Sequence, residues 1–180
     1  MQRRIFIGIS LPEDIKKRLV QRVEKWQDLP IKWLKNENFH VTLAFLGYVD
    51  DVKIGEICSE VRKTVGNFQS FDVFFEKIGL GPNSEEPRMV WISGGVNEEL
   101  RKLQEAVEKT IGTFIVEKKE FRPHITLGKI RKHKWEDLAE KPEIEENLRV
   151  SIPVENVEVF ESRIENGKRR YDVLEICPLK

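Results

Sequence analysis

Two short stretches, Phe39-His40-Val41-Thr42-Leu43 and Pro123-His124-Ile125-Thr126-Leu127, hold the residues of this chain best suited to chemistry. In a β-strand, residues two apart point to the same face. His40 therefore projects with Thr42, while Val41, Leu43 and Phe45 turn toward a core. His124 projects with Thr126 in the same way, and Arg122 shares that parity if the backbone stays extended through Pro123. Two such strands brought together set two imidazoles opposite each other, each with a hydroxyl beside it. That arrangement suits acid–base work on a phosphodiester. A neutral imidazole takes a proton from the attacking oxygen, and an imidazolium gives one to the leaving oxygen. Threonine hydroxyls and a nearby cation hold the non-bridging oxygens, where charge is accommodated. The scheme needs no metal and no cofactor.

A single His-x-Thr is weak, because a strand histidine among apolar residues is usually structural. The chain has only three histidines and five threonines in 180 residues. Two of the three falling in this pattern arises by chance on the order of a few times in a thousand. A duplication that kept two structural histidines is the remaining simple explanation. His133 lacks the pattern and reads as part of a solvated loop, Arg131-Lys132-His133-Lys134.

The elements that must position these strands repeat as well. Ile5-Phe6-Ile7 and Met89-Val90-Trp91 each begin 35 residues before their histidine. Each half reads as strand, helix, connection, then the His-x-Thr strand. Ser10 and Glu13 predict a capping box for a helix with Ile15, Leu19, Val23 and Trp26 on its apolar stripe. Asn97 predicts the N-cap of a helix with Leu100, Leu103, Val107 and Ile111. Ile54, Ile57, Val61 and Val65 mark a further helix ending near Gly66-Asn67, and Trp135 to Leu148 reads as another, broken by Pro142. Phe71 to Phe75 and Arg88 to Ile92 read as strands around a turn-rich loop, Gly79 to Pro87. Val157 to Phe160 and Tyr171 to Ile176 flank Asn166-Gly167, a strong hairpin signal. The expected fold is α+β: two pseudo-symmetric lobes of mostly antiparallel sheet flanked by helices, with the active-site cleft between them. The lobes span roughly 1–85 and 86–180 of a single domain, with strands open to exchange between them.

Phe39-His40-Val41-Thr42-Leu43-Ala44-Phe45-Leu46-Gly47 and Phe121-Arg122-Pro123-His124-Ile125-Thr126-Leu127-Gly128 resemble the two signature motifs of the 2H phosphoesterase superfamily. In particular they resemble its bacterial and archaeal 2′-5′ RNA ligase branch, also called RNA 2′,3′-cyclic phosphodiesterase. Ile5 to Pro12 and Arg88 to Trp91 resemble that branch too, so the likeness covers essentially the whole chain. It implies hydrolysis of RNA 2′,3′-cyclic phosphate ends to 2′-phosphomonoesters, with weak, ATP-independent 2′-5′ joining. It implies RNA ends as partners, such as tRNA fragments or short oligonucleotides. By the same resemblance His40 is the proton donor to the ribose 3′-oxygen and His124 the proton acceptor that activates water. Thr42 and Thr126 then bind the phosphate. Sequence alone does not separate the two histidine roles. The family often carries Arg five residues after its second histidine, where this chain has Lys129. The strand parity of Lys129 is wrong for the catalytic face unless a bulge near Gly128 turns it inward. Lysine supplies charge without the bidentate geometry of arginine. The phosphate-gripping cation therefore stays open between Lys129 and Arg122.

Other readings have less behind them. The chain has no Gly-x-x-x-x-Gly-Lys-Ser/Thr loop and no Gly-x-Ser-x-Gly elbow. A zinc site on His40 and His124 lacks an obvious third ligand. The alternative from another class is a non-catalytic RNA-binding module, with Phe6, Trp33, Tyr48 or Trp91 stacking on bases. No run of eighteen apolar residues spans a membrane. Two cysteines give no disulfide framework, so a cytoplasmic monomer is expected. Abundant Glu and Lys with five Gln lean toward a thermophilic source.

Thirty-one basic and thirty-one acidic residues leave a formal net charge of zero. That excludes a binder coated in positive charge. The charge is nevertheless segregated. From Lys118 to Lys134 there are seven basic residues and one acid, and from Trp135 to Glu165 ten acids and three basic residues. The basic stretch brackets the second His-x-Thr, as a small site for one terminal phosphate requires.

Overall fold

A computed structural model of the chain describes residues 1–95, 97–114 and 120–180. The elements run β1 (Gln2–Ser10), α1 (Glu13–Val23), β2 (Ile31–Trp33), β3 (His40–Asp50), α2 (Asp51–Val65), β4 (Phe71–Gly81) and β5 (Met89–Ser93). They continue with α3 (Glu98–Thr110), β6 (His124–Ile130), α4 (Lys132–Glu136), β7 (Glu146–Val154), β8 (Asn156–Glu165) and β9 (Lys168–Pro178). The strands form one antiparallel sheet in the order β7-β4-β5-β6-β3-β1-β8-β9, with β2 also paired to β6. Its two sides meet at the single bridge Val41↔Ile125 between β3 and β6. The fold is thus α+β, with the two His-x-Thr strands side by side at the centre of the sheet.

Period-two alternation explains which face is core. Ile5, Ile7 and Ile9 of β1, Val41 and Leu43 of β3, and Ile125 and Leu127 of β6 are all buried. Helix stripes close over such residues: Ile54, Ile57, Val61 and Val65 on α2, and Leu100, Leu103 and Val107 on α3. The face turned away from this core carries His40, Thr42, His124 and Thr126.

Local signals hold at several boundaries. The Asn97 side chain accepts from the Leu100 N–H at 2.7 Å, capping α3. Asn166 and Gly167 both take positive φ, 51° and 71°, the geometry of a tight hairpin turn between β8 and β9. Four expectations are corrected. Phe45 does not enter the core: register shifts against β1 break the alternation of β3, and its side chain is 58 % exposed. No capping box forms at α1. Its N-cap is Pro12 without a side-chain bond, and Ser10 is still in β1, its N–H donating to Glu158. The stretch Trp135 to Leu148 is not a helix. After the short α4 the chain enters β7, where Leu148, Val150, Ile152 and Val154 are buried at every second position. That alternation is a strand signature the helical reading overlooks. Finally, Gly79 to Gly81 belongs to β4 rather than to a loop. Among the described residues, no helix is long and apolar enough to cross a membrane.

Candidate active site

Register places the site. Residues directly opposite in an antiparallel pair share a face. On β1 and β3 the opposed pairs are Ser10↔His40, Gly8↔Thr42, Phe6↔Phe45 and Arg4↔Tyr48, with register shifts on either side of Phe6↔Phe45. On β5 and β6 they are Ser93↔His124, Trp91↔Thr126 and Met89↔Lys129, with one shift next to Trp91. Because Val41 faces Ile125, the antiparallel register sets Thr42 beside His124 and His40 beside Thr126. Thr42 and His124 line a common cavity of about 480 Å³ with Arg4, Phe45 and Arg122.

Both imidazoles are held the same way. His40 Nδ1 lies 2.7 Å from the Asn38 carbonyl, and His124 Nδ1 lies 2.7 Å from the Arg122 carbonyl. A carbonyl only accepts, so each ring carries its proton on Nδ1 and keeps Nε2 as its basic nitrogen. The surroundings of the two rings differ. His40 Nε2 accepts from the Thr42 hydroxyl at 2.9 Å. Its ring sits 4.8 Å from Phe6 and meets Tyr171 edge-on at 5.1 Å, with Phe160 stacked on Phe6 behind. Burial, together with the nearby charge of His124, lowers the His40 pKa to about 4 against the pull of the Asn38 carbonyl. Among the described residues, the ring packed against His124 is that of Trp91, 4.6 Å away, and the Thr126 hydroxyl contacts the Met89 sulfur instead. Burial lowers the His124 pKa as well. Among the described residues, none hydrogen-bonds His124 Nε2.

The cations are not arranged as the basic stretch predicts. The Arg122 guanidinium is exposed and paired with Glu120 at 3.1 Å, so its backbone carbonyl is the part that serves His124. Lys129 reaches the site face because β6 shifts register between Thr126 and Gly128, bringing it opposite Met89. Its ammonium is pushed below the ordinary value by partial burial and then by Arg169, Arg4 and Lys32. Those three residues come from β9, β1 and β2. Among the described residues, Arg4, Lys32 and Lys129 have no acidic partner. Lys132 pairs with Glu136, and His133 is 96 % exposed on α4 rather than in a loop. Lys118 and Lys119 lie outside the described residues.

Sequence reasoning overlooks several contributors. Asn38 is buried, and its side chain donates to the Arg169 carbonyl at 3.1 Å, fixing the carbonyl that orients His40. Gly8 is the floor beneath the ring: a Cβ there falls 2.7 Å from the Val41 carbonyl and 3.6 Å from His40. A glycine inside a strand is the signal for such close approach. Phe160, Tyr171 and Arg169 carry no such local signal. Of the aromatics named for base stacking, Phe6 is buried and Trp33 packs against Gly128, while Tyr48 is exposed. Among the described residues, no group of three His, Cys, Asp or Glu side chains converges as metal ligands.

The LigT like Phosphoesterase family model matches residues 9–91. The RNA 2′,3′-cyclic phosphodiesterase of Thermotoga maritima is 31 % identical over 97 % of this chain and 94 % of its own length. The protein of that name from Methanocaldococcus jannaschii is 32 % identical over 77 % of this chain and 80 % of its own. Among solved structures, TT0787 of Thermus thermophilus superposes with a TM-score of 0.83 at 23 % identity, covering 97 % of both chains. E. coli LigT complexed with 3′-AMP superposes with a TM-score of 0.81 at 23 % identity, over 100 % of this chain and 99 % of that one. These structures share the fold. The 31 % identity to the Thermotoga maritima protein over nearly the full length of both chains makes this chain a member of the LigT-like phosphoesterases of the 2H superfamily.

Proposed function

We propose that this chain hydrolyses RNA 2′,3′-cyclic phosphate ends to 2′-phosphomonoesters. The observation that carries the reading is the pair of opposed imidazoles, each fixed as the Nδ1–H tautomer by the carbonyl two residues before it. The relatives named RNA 2′,3′-cyclic phosphodiesterase support the substrate.

His124, whose Nε2 is open to the cleft, takes a proton from water as its oxygen bonds to phosphorus. The P–O3′ bond breaks, and His40 gives its Nε2 proton to the leaving 3′-oxygen. The products are a free 3′-hydroxyl and a phosphate retained on O2′; solvent exchange resets both rings. In the free enzyme His40 is neutral at pH 7, because its pKa is about 4. The bound phosphate anion favours the imidazolium and raises that value. Protonation of Nε2 also releases the Thr42 hydroxyl that now donates to it. Thr42 and Thr126 then donate to the non-bridging oxygens, and Lys129 balances their charge with help from Arg4 and Arg169. A 5′-hydroxyl in place of water gives a 2′-5′ diester without ATP, which is the weak joining reaction. One chain supplies both histidines, so the enzyme works as a monomer. Its cysteines, Cys58 and Cys177, are unpaired, in keeping with a cytoplasmic setting. The two lobes, about 1–85 and 86–180, derive from one duplicated unit whose outer strands have exchanged.

The test is a nucleoside 2′,3′-cyclic phosphate incubated with the protein and EDTA, followed by phosphorus NMR. The expected product is the 2′-phosphate alone. A 3′-phosphate product, or activity abolished by chelation, overturns the mechanism. Failure of the protein to open the ring at all leaves the non-catalytic RNA-binding module in its place.

A further inference from the structure

Lys32 on β2 and Lys129 on β6 stand directly opposite each other in the antiparallel register. Residues so placed have Cβ atoms about 4.5–5.5 Å apart, and like charges there are destabilising. Met89 stands on the other flank of Lys129, and among the described residues neither lysine forms an ion pair with an acid. Arg4 of β1 and Arg169 of β9 add to the strain, since both act with Lys32 to depress the Lys129 ammonium. The Arg169 guanidinium donates to the Ser162 hydroxyl at 2.6 Å, a neutral partner that leaves its charge uncompensated. Adjacent arginines on β1 have opposite fates. Arg3 is committed to Asp51 and Glu161, whereas Arg4 has no such pairing among the described residues. The acids of the cavity, Glu108 and Glu120, line it with Thr42 and His124, and Glu120 is paired with Arg122.

The opposed lysines adjoin the reacting groups. His124, Thr126 and Lys129 follow one another along the site face of β6. β2 continues the flank of β6 that β3 begins at Val41, so Lys32 stands on the His40 side. A cyclic diester brings a single negative charge to this place. A phosphomonoester brings about two at pH 8, because its second pKa is about 6. Attraction scales with the product of the charges, so a surplus of cations favours the monoester. Proteins accept such a local conflict where function requires it.

We propose that Lys32 and Lys129, with Arg4 and Arg169, select a dianionic phosphate over a monoanionic one, so that the site holds its 2′-phosphomonoester product more tightly than the cyclic substrate. The inference rests on the cyclic-phosphate reading above and adds regulation of that site: the product competes with substrate, and its release sets the pace of turnover. Lys32 is then a specificity-determining residue for the charge of the phosphate, and a bound dianion relieves its repulsion with Lys129.

The probes are adenosine 2′-phosphate and adenosine 2′-methylphosphonate, which are of nearly equal size and differ by one charge at pH 8. Their Kd values are measured by calorimetry at fixed ionic strength. The wild type binds the phosphate about tenfold tighter than the methylphosphonate. Lys32→Gln lowers that preference about fivefold, and Lys32→Arg keeps it. Lys63→Gln, which removes a lysine from α2, leaves it unchanged. Lys32→Gln also raises Tm, because it removes the like-charge pair. A wild-type preference near unity, or one that survives both Lys32→Gln and Lys129→Gln, overturns the selection. In turnover, adenosine 2′-phosphate competes with adenosine 2′,3′-cyclic phosphate at a Ki below KM, and a Ki above KM overturns retention of the product. If the wild type opens no cyclic phosphate, the hydrolytic reading has failed, and the two Kd values still decide the dianion selection alone.

Discussion

The two half-sites share a frame and differ in what fills it. In both, a serine stands opposite the histidine, Ser10 for His40 and Ser93 for His124. In both, the carbonyl two residues back accepts from Nδ1. The outer strands then diverge. Opposite Phe6 on β8 stands Phe160, which with Tyr171 walls in His40. Opposite Trp91 on β4 stands Gly79, and with Gly81 it leaves room for the indole instead; a Cβ on Gly81 falls 2.3 Å from that ring. One histidine is caged and bonded to its threonine, and the other is open on its reactive nitrogen. The hydrogen-bond frame sets tautomer in both, while the outer strands set pKa and access in each. Equal motifs therefore support unequal roles.

The largest effects come from removing either ring. His40→Ala and His124→Ala each lower kcat on a cyclic phosphate about 10²- to 10⁴-fold, with cooperative melting retained. A variant of either histidine that keeps near-wild-type turnover breaks the account. The glycines beneath the rings separate the halves next. Gly8→Ala meets backbone, so it forces β1 from β3, costs about 1–3 kcal/mol of stability and disturbs His40. Gly81→Ala meets the Trp91 ring and moves it from His124. The His124 pKa then rises toward the ordinary value in a proton NMR titration, while that of His40 stays at about 4.

Much of this frame is legible in the sequence, and much is not. The His-x-Thr strands, the Asn97 cap, the α2 and α3 stripes and the Asn166-Gly167 turn are local, and local chemistry decides them. Lys129 turns inward at the Gly128 irregularity, which a strand glycine signals. Phe160, Tyr171 and Arg169 reach His40 only because the C-terminal hairpin pairs with the N-terminal strand, a pairing no short window contains. Arg4 and Lys32 meet Lys129 for the same reason. Composition points to the basic stretch for cations near the site, but pairing across the sheet brings Arg169, Arg4 and Lys32 near Lys129.

Acidity offers a further way to sharpen the contrast. Both imidazole pKa values lie below 6.5, so the singly protonated free enzyme is most abundant on the acid side of that value. A bell-shaped kcat/KM profile with its maximum below pH 6.5 is expected. The depressed His40 value also means the unfolded chain binds more protons between pH 6.5 and about 4. Stability therefore falls as pH drops through that window, by up to about 3 kcal/mol, and is flat with respect to His40 below it. His40→Ala removes that slope in denaturant titrations. The smallest effects concern the cations. Lys129→Ala raises KM about tenfold, whereas Arg122→Ala, whose guanidinium already faces Glu120, stays within about threefold. Reversal of that order places the phosphate on the wrong cation.

The division of labour is tested most directly by a leaving group that needs no proton. Wild type, His40→Ala and His124→Ala are compared on a ribonucleoside cyclic phosphate and on an aryl phosphodiester with a nitrophenolate leaving group. If His40 is the proton donor, its loss costs far less on the aryl ester than on the cyclic phosphate, and the loss of His124 costs the same on both. Equal losses for the two variants on both substrates, or rescue of His124→Ala alone, contradict the assignment.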